Sequence, residues 1–228
     1  LGVRRERIAG TRVAVAAPTD HDVRRMDMLA LLNWTLPELA RILPEPLPRL
    51  TIVSAGEPMW RGGLSAPASL YLHADRPMIS ENGTSTLLHE VMHVATGLSA
   101  TPGYDWIVEG LAEYYSLQLL YRSGTITPSR YQGALSELAG WGDSADTLCS
   151  RASSGAETAL AVTIMRALDR EIVAATGNTR SLDDVLVKLL TANRKVTLDA
   201  LRLAAREHVG KNPDALHSRR LPGCGKVS

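Results

Sequence analysis

Two histidines and a glutamate lie inside an otherwise apolar run, STLLHEVMHVAT at 85–96, and this run limits what the chain can fold into more than any other stretch. Leu87, Leu88, Val91, Met92 and Val94 surround the polar residues, so the pattern predicts a helix over about 84–96, stopped by Gly97 and buried on most sides. Ionisable groups in such a helix need partners that offset their desolvation. His89 and His93 stand one turn apart on a single helix face, where both imidazoles can reach one ion. Glu90 follows His89 and leans toward the same side. The same letters also arise in ordinary amphipathic helices, and it is the apolar surroundings that favour a metal.

The rest of the composition narrows the class. With 228 residues, a net charge of +1, 45% apolar and 21% charged residues, the chain has the profile of a soluble globular protein. Charge is balanced and spread along the sequence without long blocks of one sign, so nothing in it points to nucleic acid or an anionic membrane. No apolar run reaches the roughly 20 residues of a spanning helix, and the opening LGVRRERIAG lacks the apolar core of a signal peptide. Cys149 and Cys224 are too few for a disulfide scaffold; one long-range bridge and two free thiols are both open. Phe is absent, which leaves Leu, Ala, Val and Ile to build the core and suits packed helices.

The N-terminal third mixes elements. TRVAVAA at 11–17 reads as a strand, and the period of Val23, Met26, Leu29, Leu32, Leu36, Leu39 and Ile42 predicts helix over about 22–43, with Pro37 marking a kink or a break. The PEPLP run is a stiff connector, LTIVSA at 50–55 and SLYLHA at 69–74 read as strands, and the segment between them reads as a loop with paired glycines. After the strand at 69–74 the chain reads as helical: beyond the histidine helix come about 105–121, 128–139 opened by Thr127 and Pro128, 156–176 ended by Gly177, a capping box at Ser181 to Asp184, and 198–209 ended by Gly210. The expectation is an α+β fold, with a small mixed sheet and the histidine helix in a lobe over 1–97, a helical lobe over 98–228, and the cleft of one catalytic unit between them.

Two imidazoles and a carboxylate suit Zn2+, which in a catalytic site keeps a fourth position for water. A third histidine is missing where a metzincin needs one, since Thr96 and Ser99 stand there. Glu109 opens the next helix, at a distance along the chain that lets a loop lay that helix against the first. Glu113, one turn further on the same face, can accept the outer N–H of a liganding histidine. Trp106, Ile107, Leu111, Tyr114 and Tyr115 around this pair argue against a merely exposed acidic stripe. Glu90 is then the general base that takes the proton of the attacking water and hands it to the leaving amine.

HEVMH followed by WIVEGLAEYY resembles the gluzincin metallopeptidases, and among them the glycyl aminopeptidase family, whose catalytic domain is thermolysin-like. The likeness extends through GAETALAVTIMRALDREIVAATGNTRSLDDVLVKLL at 155–190 and covers roughly residues 50–210. It implies a zincin fold acting on peptide or protein substrates, with His89, His93 and Glu109 as zinc ligands, Glu90 as base and Glu113 as the outer acid. By the same likeness, Gly62, Gly63 and Leu64 belong to an edge strand lining the substrate cleft. Three departures accompany it. Ala152 and Ser154 stand where relatives carry the tyrosine and lysine of a Tyr-x-Lys-Gly motif, leaving Arg151 or Tyr131 as substitute oxyanion donors. Ser65 replaces the acid that holds a free amine in other gluzincin aminopeptidases. The family's additional N-terminal β and C-terminal PDZ domains have no room in this sequence. Family habit, with a Cys149–Cys224 bridge, implies export to a periplasmic or extracellular space. His21, His73 and His217 are isolated, and His208 is only a remote candidate for an oxyanion donor.

Overall fold

Alternating burial builds the first part of the chain. In β2 (Thr11–Ala17) Val13 and Val15 turn inward while Arg12, Ala14 and Ala16 turn out, and β3 (Arg49–Ala55) repeats this with Leu50 and Ile52 inside. The computed structural model describes residues 1–192 and 195–224. β1 (Gly2–Ile8) pairs antiparallel with β2 through a tight turn at Ala9 and Gly10, both at positive φ, 47° and 85°. β4 (Gly63–Ala66) pairs antiparallel with β5 (Ser69–His73), and the five strands lie in the order β1-β2-β3-β5-β4, with β2, β3 and β5 mutually parallel. Neither β1 nor β4 follows from local pattern. β1 is mostly charged, GVRRERI, and β4 is a short segment that reads as loop until its partner β5 is in place.

Helix α1 (Arg25–Ile42) crosses over between β2 and β3 and runs unbroken through Pro37, so the sequence break is absent. It buries Met28, Leu29, Leu31, Leu32, Leu36, Leu39 and Ile42. α2 (Thr86–Thr96) starts where Ser85 Oγ accepts the Leu88 N–H and stops at Gly97, whose φ of 55° is left-handed. These elements, with Tyr115–Tyr131, form one compact unit from Leu1 to Gly97.

The second unit comprises Leu98–Tyr114 and the chain from Gln132 onward. Its elements are the paired short strands β6 (Ser99–Ala100) and β7 (Lys195–Val196), helix α3 (Asp105–Arg122, whose C-terminal part belongs to the first unit), α4 (Pro128–Gly142, whose first turn belongs to the first unit), α5 (Ala156–Ala175), α6 (Leu182–Ala192) and α7 (Leu198–Val209). α3 and α5 approach so closely at Gly110 that an added Cβ would come 2.6 Å from Ala161 Cβ. The Tyr114 hydroxyl donates to Asp169 Oδ2 at 2.7 Å, while Asp169 Oδ1 accepts the Leu182 N–H, linking α3, α5 and α6. The expected capping box forms: Asp184 accepts the Ser181 N–H and Ser181 Oγ accepts the Asp183 N–H. Among the largest fully buried side chains are Trp106, Tyr114 and Tyr115, all on α3, so the core is less purely aliphatic than composition suggested.

Candidate metal centre

The helical period of α2 sets His89 and His93 on one face, and their ring nitrogens converge. The two Nε2 atoms are 3.0 Å apart, with ring centroids 4.7 Å apart at an interplanar angle of 72°. Two donors bound to one zinc at about 2.0–2.1 Å with tetrahedral angles are separated by about 3.3 Å, so the imidazoles need little movement to share an ion. Glu109 of α3 completes the group: His89, His93 and Glu109 each offer a ligand atom, and these atoms all lie within 4.8 Å of one another. All three residues are half-buried. Two imidazole nitrogens and a carboxylate oxygen are a zinc donor set, and the spacing fits one ion.

Glu90 is buried, at 8% exposure, on the side of α2 that meets the sheet edge. A Cβ on Gly63 would lie 2.7 Å from Glu90 Cγ, 2.9 Å from its Oε1 and 2.8 Å from Thr86 Cγ2. β4 therefore passes flat against the carboxylate, and only glycine allows that approach. The sequence shows the paired glycines but not what they pack on; the packing becomes visible only once β4 is seen as the sheet edge beside α2. Gly62 precedes this strand, and Leu64 stands exposed within it. Glu113 sits half-buried one turn beyond Glu109.

The substitute oxyanion donors occupy different settings. Tyr131 is buried on α4, its ring stacked on Tyr121 at 4.5 Å and its hydroxyl accepting from Gln118 Nε2 at 2.9 Å. Arg151 and Ala152 are both exposed. Their segment is tied down on either side: Cys149 is bonded to Cys224, and the Ser153 N–H donates to Asp105 Oδ2, in the first turn of α3, at 2.8 Å. Of the two cysteine readings, the bridge is the one found.

The remaining histidines have local duties. His21 Nδ1 accepts the Gly56 N–H, the fully buried His73 accepts the Asp75 N–H, and His217 accepts the Arg219 N–H. His208 lies on α7; burial holds its pKa below the usual histidine value, with the Lys188 and Arg180 cations acting the same way and Asp184 opposing.

No protein-family model matches the chain, and no curated protein matches it. Solved structures do. An M1 zinc metallopeptidase from Deinococcus radiodurans aligns over 97% of this chain with 16% identity and a TM-score of 0.65. An aminopeptidase N family protein from Idiomarina loihiensis aligns over 96% with 15% identity and a TM-score of 0.61. Native yeast LTA4 hydrolase aligns over 95% with 16% identity and a TM-score of 0.62. The chain spans 52%, 43% and 38% of those proteins, about half their length or less. At these identities the likeness is one of fold: the chain has the α+β fold of zinc metallopeptidase structures, with a His-His-Glu group able to hold a metal. No helix among the described residues is long and apolar enough to cross a membrane.

Proposed function

We propose that the chain is the catalytic part of a zinc-dependent metallopeptidase, a gluzincin whose motifs resemble those of the glycyl aminopeptidases, with His89, His93 and Glu109 as metal ligands. The observation that carries this reading is the convergence of two imidazoles and a carboxylate within 4.8 Å, next to the buried carboxylate of Glu90. A zinc ion held there supplies Lewis acidity, favouring ionised water near neutral pH and polarising a peptide carbonyl. Glu90 takes the proton from the attacking water and returns it to the leaving amine. The close approach of Gly63 in β4 to the Glu90 side chain supports this role, since it limits how far the carboxylate can move. Glu113 accepts an outer histidine N–H and so fixes the ring tautomer. β4, the edge strand that carries Gly63 and Leu64, offers its outward backbone groups to an extended peptide, a mode in which main-chain hydrogen bonds supply affinity. The Cys149–Cys224 bridge supports export to an oxidising compartment.

The donor for the oxyanion is the weakest part of the machinery. Ala152 has only a methyl group where relatives place a hydroxyl, and losing one such donor typically costs about a hundredfold to a thousandfold in rate. Exposed Arg151 is the better substitute, because the Tyr131 hydroxyl is already engaged by Gln118. Ala152 also favours a second reading, a zinc protein that holds peptides without cutting them efficiently. One experiment separates the two: the zinc-loaded protein and its Glu90→Gln variant are incubated with a mixed peptide library and products are read by mass spectrometry. Cleavage by the parent alone supports the enzyme. No cleavage by the parent, with peptide still retained, supports the binding protein.

A further inference from the structure

The outward face of the sheet carries a charge pattern that the nearly neutral chain conceals. Register places Arg7 opposite Arg12, and Arg12 beside Arg49, so three arginines stand in one row across β1, β2 and β3 at strand spacings of about 5 Å. Arg5, opposite Ala14, adds a fourth in the next row. All four are exposed. Like charges directly opposed in a sheet destabilise it. Glu6 is the only carboxylate in the five strands, and it alternates to the other face, where Asn33 of α1 donates to it. No carboxylate pairs with Arg5, Arg12 or Arg49 among the described residues.

Further along the same face the rows turn apolar. Val3, Ala16, Val53, Tyr71 and Leu64 fall in one cross-strand row, with Val53 43% and Leu64 63% exposed. The Tyr71 hydroxyl donates to the carbonyl of Trp60, which brings that loop to the end of the row; Trp60 is 65% exposed and Met59 49%. A sheet face about 19 Å across thus joins a basic border to an apolar border tipped by tryptophan. Arginines that meet phosphates and aromatic or aliphatic groups that enter the headgroup region are what a peripheral membrane surface uses.

We propose that this face docks on an anionic lipid surface, with Arg5, Arg7, Arg12 and Arg49 meeting lipid phosphates and Trp60 and Met59 entering the interface. The lipid is favoured over an acidic protein because one sheet face joins a row of arginines to exposed apolar groups. The claim is independent of catalysis. It is tested by sedimenting the whole protein with vesicles of phosphatidylcholine containing 30% phosphatidylglycerol and with phosphatidylcholine alone, across a salt series. Binding is expected only to the anionic vesicles, weakening as salt rises. The double variant R12E/R49E should lose at least about tenfold in partitioning, and Trp60→Ala should also bind less. Should the charge reversal impair folding, R12Q/R49Q replaces it. The proposal is overturned by no binding to anionic vesicles, by variants that bind like the parent, or by tighter binding to polyglutamate or duplex DNA than to vesicles.

Discussion

Gly63→Ala tests the geometry around Glu90 with a single methyl group. The added carbon would sit 2.7 Å from Glu90 Cγ and 2.8 Å from Thr86 Cγ2. Carbon atoms rest at about 3.5–4.0 Å, so the side chain, or the strand opposite it, must give way by about 1 Å. Overpacking on this scale costs about 1–3 kcal/mol of stability, which a folded domain tolerates. The larger effect is on rate: a general base displaced by about 1 Å loses on the order of a hundredfold. The assay is kcat/KM on a peptide cleaved by the parent, with zinc content measured in parallel. Activity should fall about a hundredfold while zinc content stays unchanged, because the change does not touch His89, His93 or Glu109. Gly133→Ala is the control, since nothing lies within 4 Å of a Cβ at that position. A folded Gly63→Ala protein with activity within twofold of the parent would refute the placement of Glu90 as base.

Other outcomes follow from the same structure. His93→Ala should abolish zinc retention through dialysis, whereas Glu113→Ala should weaken zinc affinity only by about 10- to 100-fold; equal losses would remove the outer role of Glu113. Reducing the Cys149–Cys224 bridge, which spans a separation of 75 residues, should lower unfolding stability in urea by about 2–4 kcal/mol, and an unchanged midpoint would contradict its stabilising role. His208 is held below the ordinary histidine pKa chiefly by burial, so the unfolded chain takes up its proton more readily. The associated stability is complete above about pH 6.5 and is lost as pH falls below that value. A His208→Gln protein should therefore show a shallower acid-side decline in melting temperature, and an identical decline would show that His208 has no part in it.

The helices and the histidine pair were legible because each depends on spacing within one segment. The His89 and His93 pair is fixed by the pitch of α2, and the helix stops at Gly97, Gly177 and Gly210 are local signals that the backbone obeys. The capping box at Ser181 likewise closes within four residues. What the sequence concealed depends on partners distant along the chain. β1 is a strand because β2 holds it, although its own residues are mostly charged. Pro37 leaves α1 continuous, as the helix is fixed by the row of leucines it buries. The closeness of Gly63 to Glu90 needs β4 to be the sheet edge, and the arginine row needs the register of three strands. Arg5 and Arg7 share a mixed-charge run with Arg4 and Glu6 while Arg12 and Arg49 lie further along, and the even overall charge balance hides that the four share a surface.

Zinc bound to the protein and located by anomalous diffraction at the metal's absorption edge tests the central claim most directly. The account predicts one strong peak about 2.0–2.2 Å from His89 Nε2, His93 Nε2 and a Glu109 carboxylate oxygen, with Glu90 near the remaining open position. A peak held by other residues, or a protein that takes up no zinc while His89, His93 and Glu109 keep their places, would contradict it.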